Sequence, residues 1–109
     1  MSTSYITDDT PAGDFEKLSV STDVKTPTAS KLLIEQAGGF KKRAVKAFVT
    51  VETNTIRMRF DGTAPDSSTG HALVAGDFIT VSGEQNVANI KMIRASADAT
   101  VQITYYYNY

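Results

Sequence analysis

Apolar and polar residues alternate along most of the chain between residues 44 and 107. A period of two places successive side chains on opposite faces of an extended strand. The alternating runs recur every ~8–12 residues and are separated by Gly, Pro, Asn and Asp, which favour turns. This pattern predicts an all-β fold: a small antiparallel β-sandwich or barrel, jelly-roll-like in type.

The clearest pair of strands covers residues 44–52 and 56–60, with the turn Glu52-Thr53-Asn54-Thr55 between them. We predict that these strands form a hairpin and that Asn54 takes the left-handed conformation. The first strand would bury one face made of small and β-branched residues: Val45, Ala47, Val49 and Val51.

Two further segments complete the predicted sheet. Residues 87–94 are apolar on both faces, which favours either a central strand or a strand interrupted by a bulge. Residues 100–107 alternate again and would direct one set of side chains inward: Val101, Ile103, Tyr105 and Tyr107.

The N-terminal segment differs in composition from the rest. Residues 1–30 are rich in Ser, Thr, Asp and Pro, and alternate only between residues 17 and 24. We predict an extended N-terminal arm over residues 1–30, which adds a strand to a partner, with a disordered tail as the alternative. A β-sandwich domain over residues 31–109 would follow. A chain of 109 residues fits one domain with a modest core, so burial between subunits would stabilise it further.

Charge is unevenly distributed along the chain. Residues 31–60 carry seven basic and two acidic side chains, whereas residues 1–30 and 61–109 each carry two basic and five acidic ones. This distribution favours contact between a basic surface of one copy and an acidic surface of another, with ordinary scatter over a solvated surface as the alternative. The basic excess is confined to one block, which argues against nucleic-acid binding.

The chain offers little reactive chemistry. It has no cysteine, which excludes disulfides, thiolate metal sites and cysteine nucleophiles, and its single histidine is His71. We expect His71 to pack against or cap a turn, and Asp61, Asp66 and Asp77 to act in turns rather than bind calcium. No catalytic residue, metal or cofactor is therefore expected, and no apolar run reaches the ~20 residues that span a membrane.

The candidate interface residues are basic or aromatic. If the predicted hairpin forms, Lys46, Arg57 and Arg59 share a sheet face with Phe48; such a strip suits a protein contact, with phosphate or base contact as the alternative. Tyr side chains bury a large area at small entropic cost, and those that point away from the core suit an interface. The complete candidate set is Lys46, Phe48, Arg57, Arg59, Tyr106 and Tyr109.

Several segments together resemble a family of small phage and prophage virion proteins. They are residues 44–52, Ile56-Arg57-Met58-Arg59-Phe60-Asp61-Gly62-Thr63-Ala64-Pro65, Gly70-His71-Ala72-Leu73, Gly76-Asp77, Asn89-Ile90-Lys91-Met92-Ile93-Arg94 and Val101-Gln102-Ile103-Thr104-Tyr105-Tyr106. The resemblance implies a head or tail structural protein, above all a decoration (cement) protein on the capsid surface. Its partners would be the major capsid protein and its own copies, in a homo-oligomer expected to be a trimer. The protein would be made in the host cytoplasm, without a membrane partner.

Two other functions are compatible with the same sequence. One is a carbohydrate- or receptor-binding module of a head fibre or tail tip, in which Tyr106, Tyr109 and the loop at residues 61–70 form a groove. The other is a head–tail adaptor protein, which would assemble as a larger ring.

Overall fold

The computed structural model describes residues 12–35, 37–39 and 41–107. These residues are mostly extended and include only two short α-helices, so the predicted all-β fold is confirmed. The strands are β1 (Ala12–Val20), β2 (Leu33–Glu35), β3 (Lys41–Thr53), β4 (Ile56–Arg59), β5 (His71–Leu73), β6 (Phe78–Ser82), β7 (Lys91–Arg94) and β8 (Ala99–Tyr107). The helices are α1 (Ala29–Leu32) and α2 (Glu84–Ala88), and a 3₁₀ turn covers Ala37–Gly39.

The strands form two antiparallel sheets. The five-stranded sheet has the order β1-β8-β3-β2, with β6 also paired to β3, and the three-stranded sheet has the order β5-β4-β7. The inward side chains of both sheets build one apolar core. In β8 the predicted inward set is confirmed, because Val101, Ile103, Tyr105 and Tyr107 are all buried.

Bulges adjust which side chains of β3 enter the core. The pairing of β3 with β8 shifts between Ala44 and Lys46, so that Val45 is an extra residue on β3. Ala47, Val49 and Val51 are buried as predicted, but at the bulge Ala44 is buried while Val45 is only half-buried. A bulge places two residues opposite one and resets the alternation, which local sequence does not reveal.

The predicted hairpin between β3 and β4 is wrong. Strand β3 pairs with β2, β6 and β8, whereas β4 pairs with β5 and β7 in the other sheet. Both strands exist and Asn54 has a φ of 59°, as predicted, but the turn carries the chain from one sheet to the other. The side chain of Asn54 donates a hydrogen bond of 2.7 Å to the carbonyl of Asp98, which fixes this crossing.

The predicted strand at residues 87–94 is also partly wrong. Its first part belongs to helix α2, and only residues 91–94 form a strand, β7. Gly83 ends β6 with a φ of 102°, and the Asn86 side chain then donates to the carbonyl of Ser82. Val87 in α2 and Ile90, just after the C-cap Asn89, are both buried. The N–H of Ile90 donates to the carbonyl of Val87 over 3.3 Å, and this turn brings both side chains to the core.

The segment predicted as an arm contains an integral strand. β1 pairs along its length with β8 of the same chain, from Ala12 opposite Tyr106 to Val20 opposite Ala99. Val20 is fully buried, so the sandwich begins before the predicted boundary at residue 31. The rest of the predicted arm, residues 1–11, lies outside the described residues.

Candidate interaction surface

One face of the five-stranded sheet points away from the core. Alternate residues of β1, β3, β6 and β8 are buried, and the residues between them form what we call the outer sheet face. Its members are Phe15, Lys17 and Ser19; Lys46, Phe48 and Thr50; Phe78, Thr80 and Ser82; and Thr100, Gln102, Thr104 and Tyr106.

The middle of the outer sheet face is aromatic and rich in threonine. Phe15 is 51% exposed and Phe78 is 44% exposed. The rings of Phe48 and Phe78 lie 5.7 Å apart on neighbouring strands. One row across the sheet, fixed by the strand register, runs Thr80, Phe48, Thr104, Phe15. Large apolar side chains exposed together on one surface are typical of a binding site.

A cation and an aromatic ring occupy one end of this face. Lys46 lies opposite Tyr106 in the β3–β8 register, and its Nζ is 4.6 Å from the centroid of the Tyr106 ring. Such a contact fixes the ring and keeps the ammonium close to the surface. The structure therefore brings together three of the predicted interface residues, namely Lys46, Phe48 and Tyr106.

Polar side chains share a row of the face with Phe78, since the strand register aligns Phe78 with Thr50, Gln102 and Lys17. Lys17 Nζ is 3.6 Å from a carboxylate oxygen of Glu52, and the side-chain amide of Gln102 also donates to Glu52. The face therefore combines exposed aromatic side chains with neighbouring polar groups, as protein interfaces do.

Arg57 and Arg59 lie elsewhere, so the predicted basic strip is wrong. Both belong to β4 in the three-stranded sheet, because β3 and β4 do not pair. Arg57 donates from Nη1 to the carbonyl of Gly70 over 3.1 Å and anchors the loop that ends there. The Nε of Arg57 is buried and has no hydrogen-bond partner within the described residues.

Arg59 is engaged with its own neighbour. Its Nη2 lies 2.5 Å and its Nε 3.1 Å from the two carboxylate oxygens of Asp61. The hydrogen bond from Arg59 lowers the pKa of Asp61 to about 2, and the same bond raises the pKa of Arg59. This two-point pair holds the start of the 61–70 loop.

Two members of the groove in the carbohydrate-binding alternative are attached to different sheets. Tyr106 is on the outer sheet face, whereas the loop at residues 61–70 is attached to the three-stranded sheet through Arg57 and Lys91. Tyr109, the third member of that groove, lies outside the described residues. Its interface role therefore stays a prediction.

The remaining candidate side chains act in turns or packing. Asp66 accepts from the N–H and hydroxyl of Ser68, and Asp77 accepts from the N–H of Val74, which is the predicted turn chemistry. The His71 ring stacks on Phe60 with centroids 5.8 Å apart, so it packs as predicted. In the part of the chain that the structure describes, no group of three or more His, Cys, Asp or Glu side chains could hold a metal ion.

One buried carboxylate was not predicted from the sequence. Glu16 of β1 is only 9% exposed and points into the fold. It accepts hydrogen bonds from the hydroxyl of Tyr105, from the N–H of Thr28 at 3.1 Å and from the Thr28 hydroxyl at 2.6 Å. Burial, then the hydrogen bond to Glu16, raises the pKa of Tyr105. The cluster joins β1 and β8 to the segment before α1, a structural role.

A shallow groove lies beside α2. It encloses about 250 Å³ and is lined by Leu32, Leu33, Arg43, Ala44, Glu84, Gln85 and Ala88. Across it, Arg43 Nε lies 3.2 Å from a carboxylate oxygen of Glu84. The groove is small for a ligand site, since such sites are commonly ~300–1,000 Å³.

None of the described helices is long and apolar enough to cross a membrane. Comparison with known proteins found no matching family model, no matching curated protein and no matching solved structure.

Proposed function

We propose that this chain is a structural binding protein of a phage particle, a decoration protein that attaches to the outer capsid shell through its outer sheet face. The observation that carries the proposal is the exposure of Phe15 and Phe78 on the outer sheet face, which also carries Phe48 and Tyr106. Burying such side chains against a partner is favourable at ~25 cal/mol per Å² of apolar surface. The phage assignment itself comes from the sequence resemblance.

The proposed mechanism is stabilisation of the assembled shell by a protein that binds it preferentially. A protein that binds the assembled shell and not its separated subunits stabilises the assembled state by an amount that grows with the ratio of its free concentration to its Kd. A homo-oligomer presents several copies of the outer sheet face at once, so individually weak contacts add through effective concentration. The major capsid protein is the proposed partner, and no reactive group is required.

The N-terminal segment has a narrower role than the sequence predicts. Removing residues 1–25 would delete β1, together with buried Val20 and Glu16. A truncation that tests the arm without destroying the sheet therefore ends before Ala12. We expect a chain lacking residues 1–11 to remain folded and to attach less well if those residues contact the shell.

The experiment is a co-sedimentation assay with capsids. The particles are those made by the phage or prophage genome that encodes the chain, prepared without this protein and then mixed with the purified chain. We expect the wild-type chain to sediment with the capsids and the double variant Phe15→Ser, Phe78→Ser to bind at least about tenfold more weakly. Removing two exposed apolar contacts accounts for that loss.

The matched control uses exposed apolar residues away from the outer sheet face. Val24 is 41% exposed and Val74 is 49% exposed, and neither belongs to that face. The double variant Val24→Ser, Val74→Ser should bind as the wild type does. Equal loss in both double variants, or no sedimentation of the wild type, would refute the proposal.

A further inference from the structure

Among residues 12–35, 37–39 and 41–107, the strand that pairs with the backbone of β6 is β3, on one side. The N–H of Val51 in β3 donates to the carbonyl of Asp77 over 3.0 Å, and the N–H of Gly83 donates to the carbonyl of Val45 over 2.7 Å. These two bonds flank β6 and set which of its backbone groups point toward β3. The register of the pair is regular, without a bulge, from Lys46 to Thr50 of β3.

Backbone direction alternates along an antiparallel strand. Since Asp77 and Gly83 point toward β3, so do the backbone groups of Ile79 and Val81. The N–H and C=O of Thr80 and Ser82 therefore point outward, along the edge of the sheet. The carbonyl of Ser82 accepts from Asn86, and the backbone groups of Thr80 point away from β3, the strand that pairs with β6 among the described residues.

This edge lacks the features that usually prevent strand pairing. The strand reads Phe78-Ile79-Thr80-Val81-Ser82, with no charge and no proline. At the opposite edge of the sheet, β1 carries Lys17 near its centre and a bulge at Gly13. Charges and bulges at edges are devices against pairing, and an uncharged regular edge of β-branched residues is a template for another strand.

We propose that β6 pairs in antiparallel fashion with β6 of a second copy, across a two-fold axis at Thr80. The Thr80 N–H of each copy then donates to the Thr80 carbonyl of the other, which makes two identical hydrogen bonds. In this register Ile79 of one copy lies beside Val81 of the other on the inner side of the sheet. The second copy fits because the strand is self-complementary about Thr80 and because the other edge of the sheet is protected.

Pairing at β6 rests on the proposed function only for its role in a phage particle, and it adds an interface between copies to that function. Pairing at β6 would join the outer sheet faces of two copies into one continuous surface. It also gives the homo-oligomer a two-fold interface, where the sequence resemblance implies a trimer.

The first test is the mass of the full chain in solution over a range of concentrations, measured by sedimentation equilibrium. We expect a monomer–dimer equilibrium, and Thr80→Pro to weaken it about thirtyfold or more, because proline removes both donors at the axis. The matched control is Ser19→Pro, which removes an outward N–H from the β1 edge and should leave the dimer intact. Circular dichroism checks that both variants are folded.

A second test does not depend on how the sheet tolerates proline. Because the chain has no cysteine, Thr80→Cys introduces a single thiol at the proposed axis. Directly opposed residues in an antiparallel pair have Cα atoms ~5.5 Å apart, which a disulfide can bridge. We expect Thr80→Cys to cross-link into a covalent dimer on mild oxidation, and Ser19→Cys to do so far more slowly.

The outcomes separate this inference from the proposed function. A strictly monomeric chain at high concentration, a trimer, or equal loss of association in Thr80→Pro and Ser19→Pro would overturn pairing at β6. A strictly monomeric chain would also remove the contribution of multiple copies to the proposed mechanism, whereas attachment through the outer sheet face itself is measured independently by the co-sedimentation assay.

Discussion

Gly13 lies directly against the ring of Tyr107, so closely that a Cβ atom on residue 13 would stand 2.4 Å from Cδ1 of that ring. The ring cannot easily move away, because Tyr107 is buried and its hydroxyl donates a 2.5 Å hydrogen bond to the carbonyl of Lys31. Gly13 is also the extra residue of the bulge where β1 meets the end of β8. The absence of a side chain at residue 13 is therefore a condition for the closing pair of strands.

We expect Gly13→Ala to lower the free energy of unfolding by about 1–3 kcal/mol, as overpacking commonly does. Urea unfolding measures the loss, and Ser19→Ala, an exposed change on the same strand, should stay within about 0.5 kcal/mol of the wild type. The cost of Gly13→Ala should shrink in a Tyr107→Leu background, because the two residues are in contact. An unchanged cost in that background would show that the ring is not the cause.

The hydroxyl of Tyr105 should contribute measurably to stability through Glu16. Tyr105→Phe removes one of three hydrogen bonds to a buried carboxylate, and bonds to charged groups contribute about 1.5–3 kcal/mol each. Thermal or urea unfolding should show a loss of that size. The control is Tyr106→Phe, whose ring lies on the outer sheet face; equal effects of the two changes would contradict a special role for Glu16.

Alkaline pH should destabilise the fold through its buried tyrosines. Burial raises the pKa of Tyr107 to about 12, above the ordinary value of 10.0. Between these values the unfolded chain has lost its proton and the folded chain has kept it, so the free energy of unfolding falls as pH rises. The stabilisation is complete below pH ~10 and is lost as pH rises through ~12.

Tyr107→Phe should reduce this alkaline slope, although the variant starts from lower stability because it also loses the bond to Lys31. The slope should not vanish, because the raised pKa of Tyr105 acts in the same direction. Urea unfolding at several pH values measures how steeply the free energy of unfolding falls with pH. Tyr106→Phe leaves both buried hydroxyls in place and should keep the wild-type slope; a reduction of equal size there would refute the assignment.

Replacing Asn54 by alanine should destabilise the fold more than replacing it by glycine. Its φ of 59° costs a residue with a Cβ about 1–2 kcal/mol, and its side chain also holds the carbonyl of Asp98. We expect Asn54→Ala to cost about 2–3 kcal/mol and Asn54→Gly to cost less, because glycine accepts this backbone conformation. Equal destabilisation would assign the whole effect to the hydrogen bond.

Sequence alternation predicted strands better than it predicted their partners. The inward face of β8 could be predicted because a period of two is a local property of the chain. The pairing of β3 could not, since the turn at Asn54 has the residues of a hairpin but directs β4 into the other sheet. The predicted positions of Arg57 and Arg59 are wrong for this reason alone. Lys46, Phe48 and Tyr106 belong to strands that do share a face.

The other errors also arise from contacts distant in sequence. Val87 and Ile90 fit a helical turn as well as a strand, and a short apolar run does not distinguish the two. Glu16 lies in a polar segment whose composition predicts exposure to solvent. Its hydrogen-bond partner Tyr105 is 89 residues away in the sequence. Nothing near Glu16 in the sequence indicates that it is buried.

The pairing of β1 with β8 has a practical consequence for engineering. Because Ala12 lies opposite Tyr106, the first and last described strands reach the same corner of the sheet. A short linker would therefore join them, and new termini opened in the exposed 61–70 loop would give a circular permutant with the same two sheets. Cargo attached directly before Ala12 or directly after Tyr107 would emerge from that one corner.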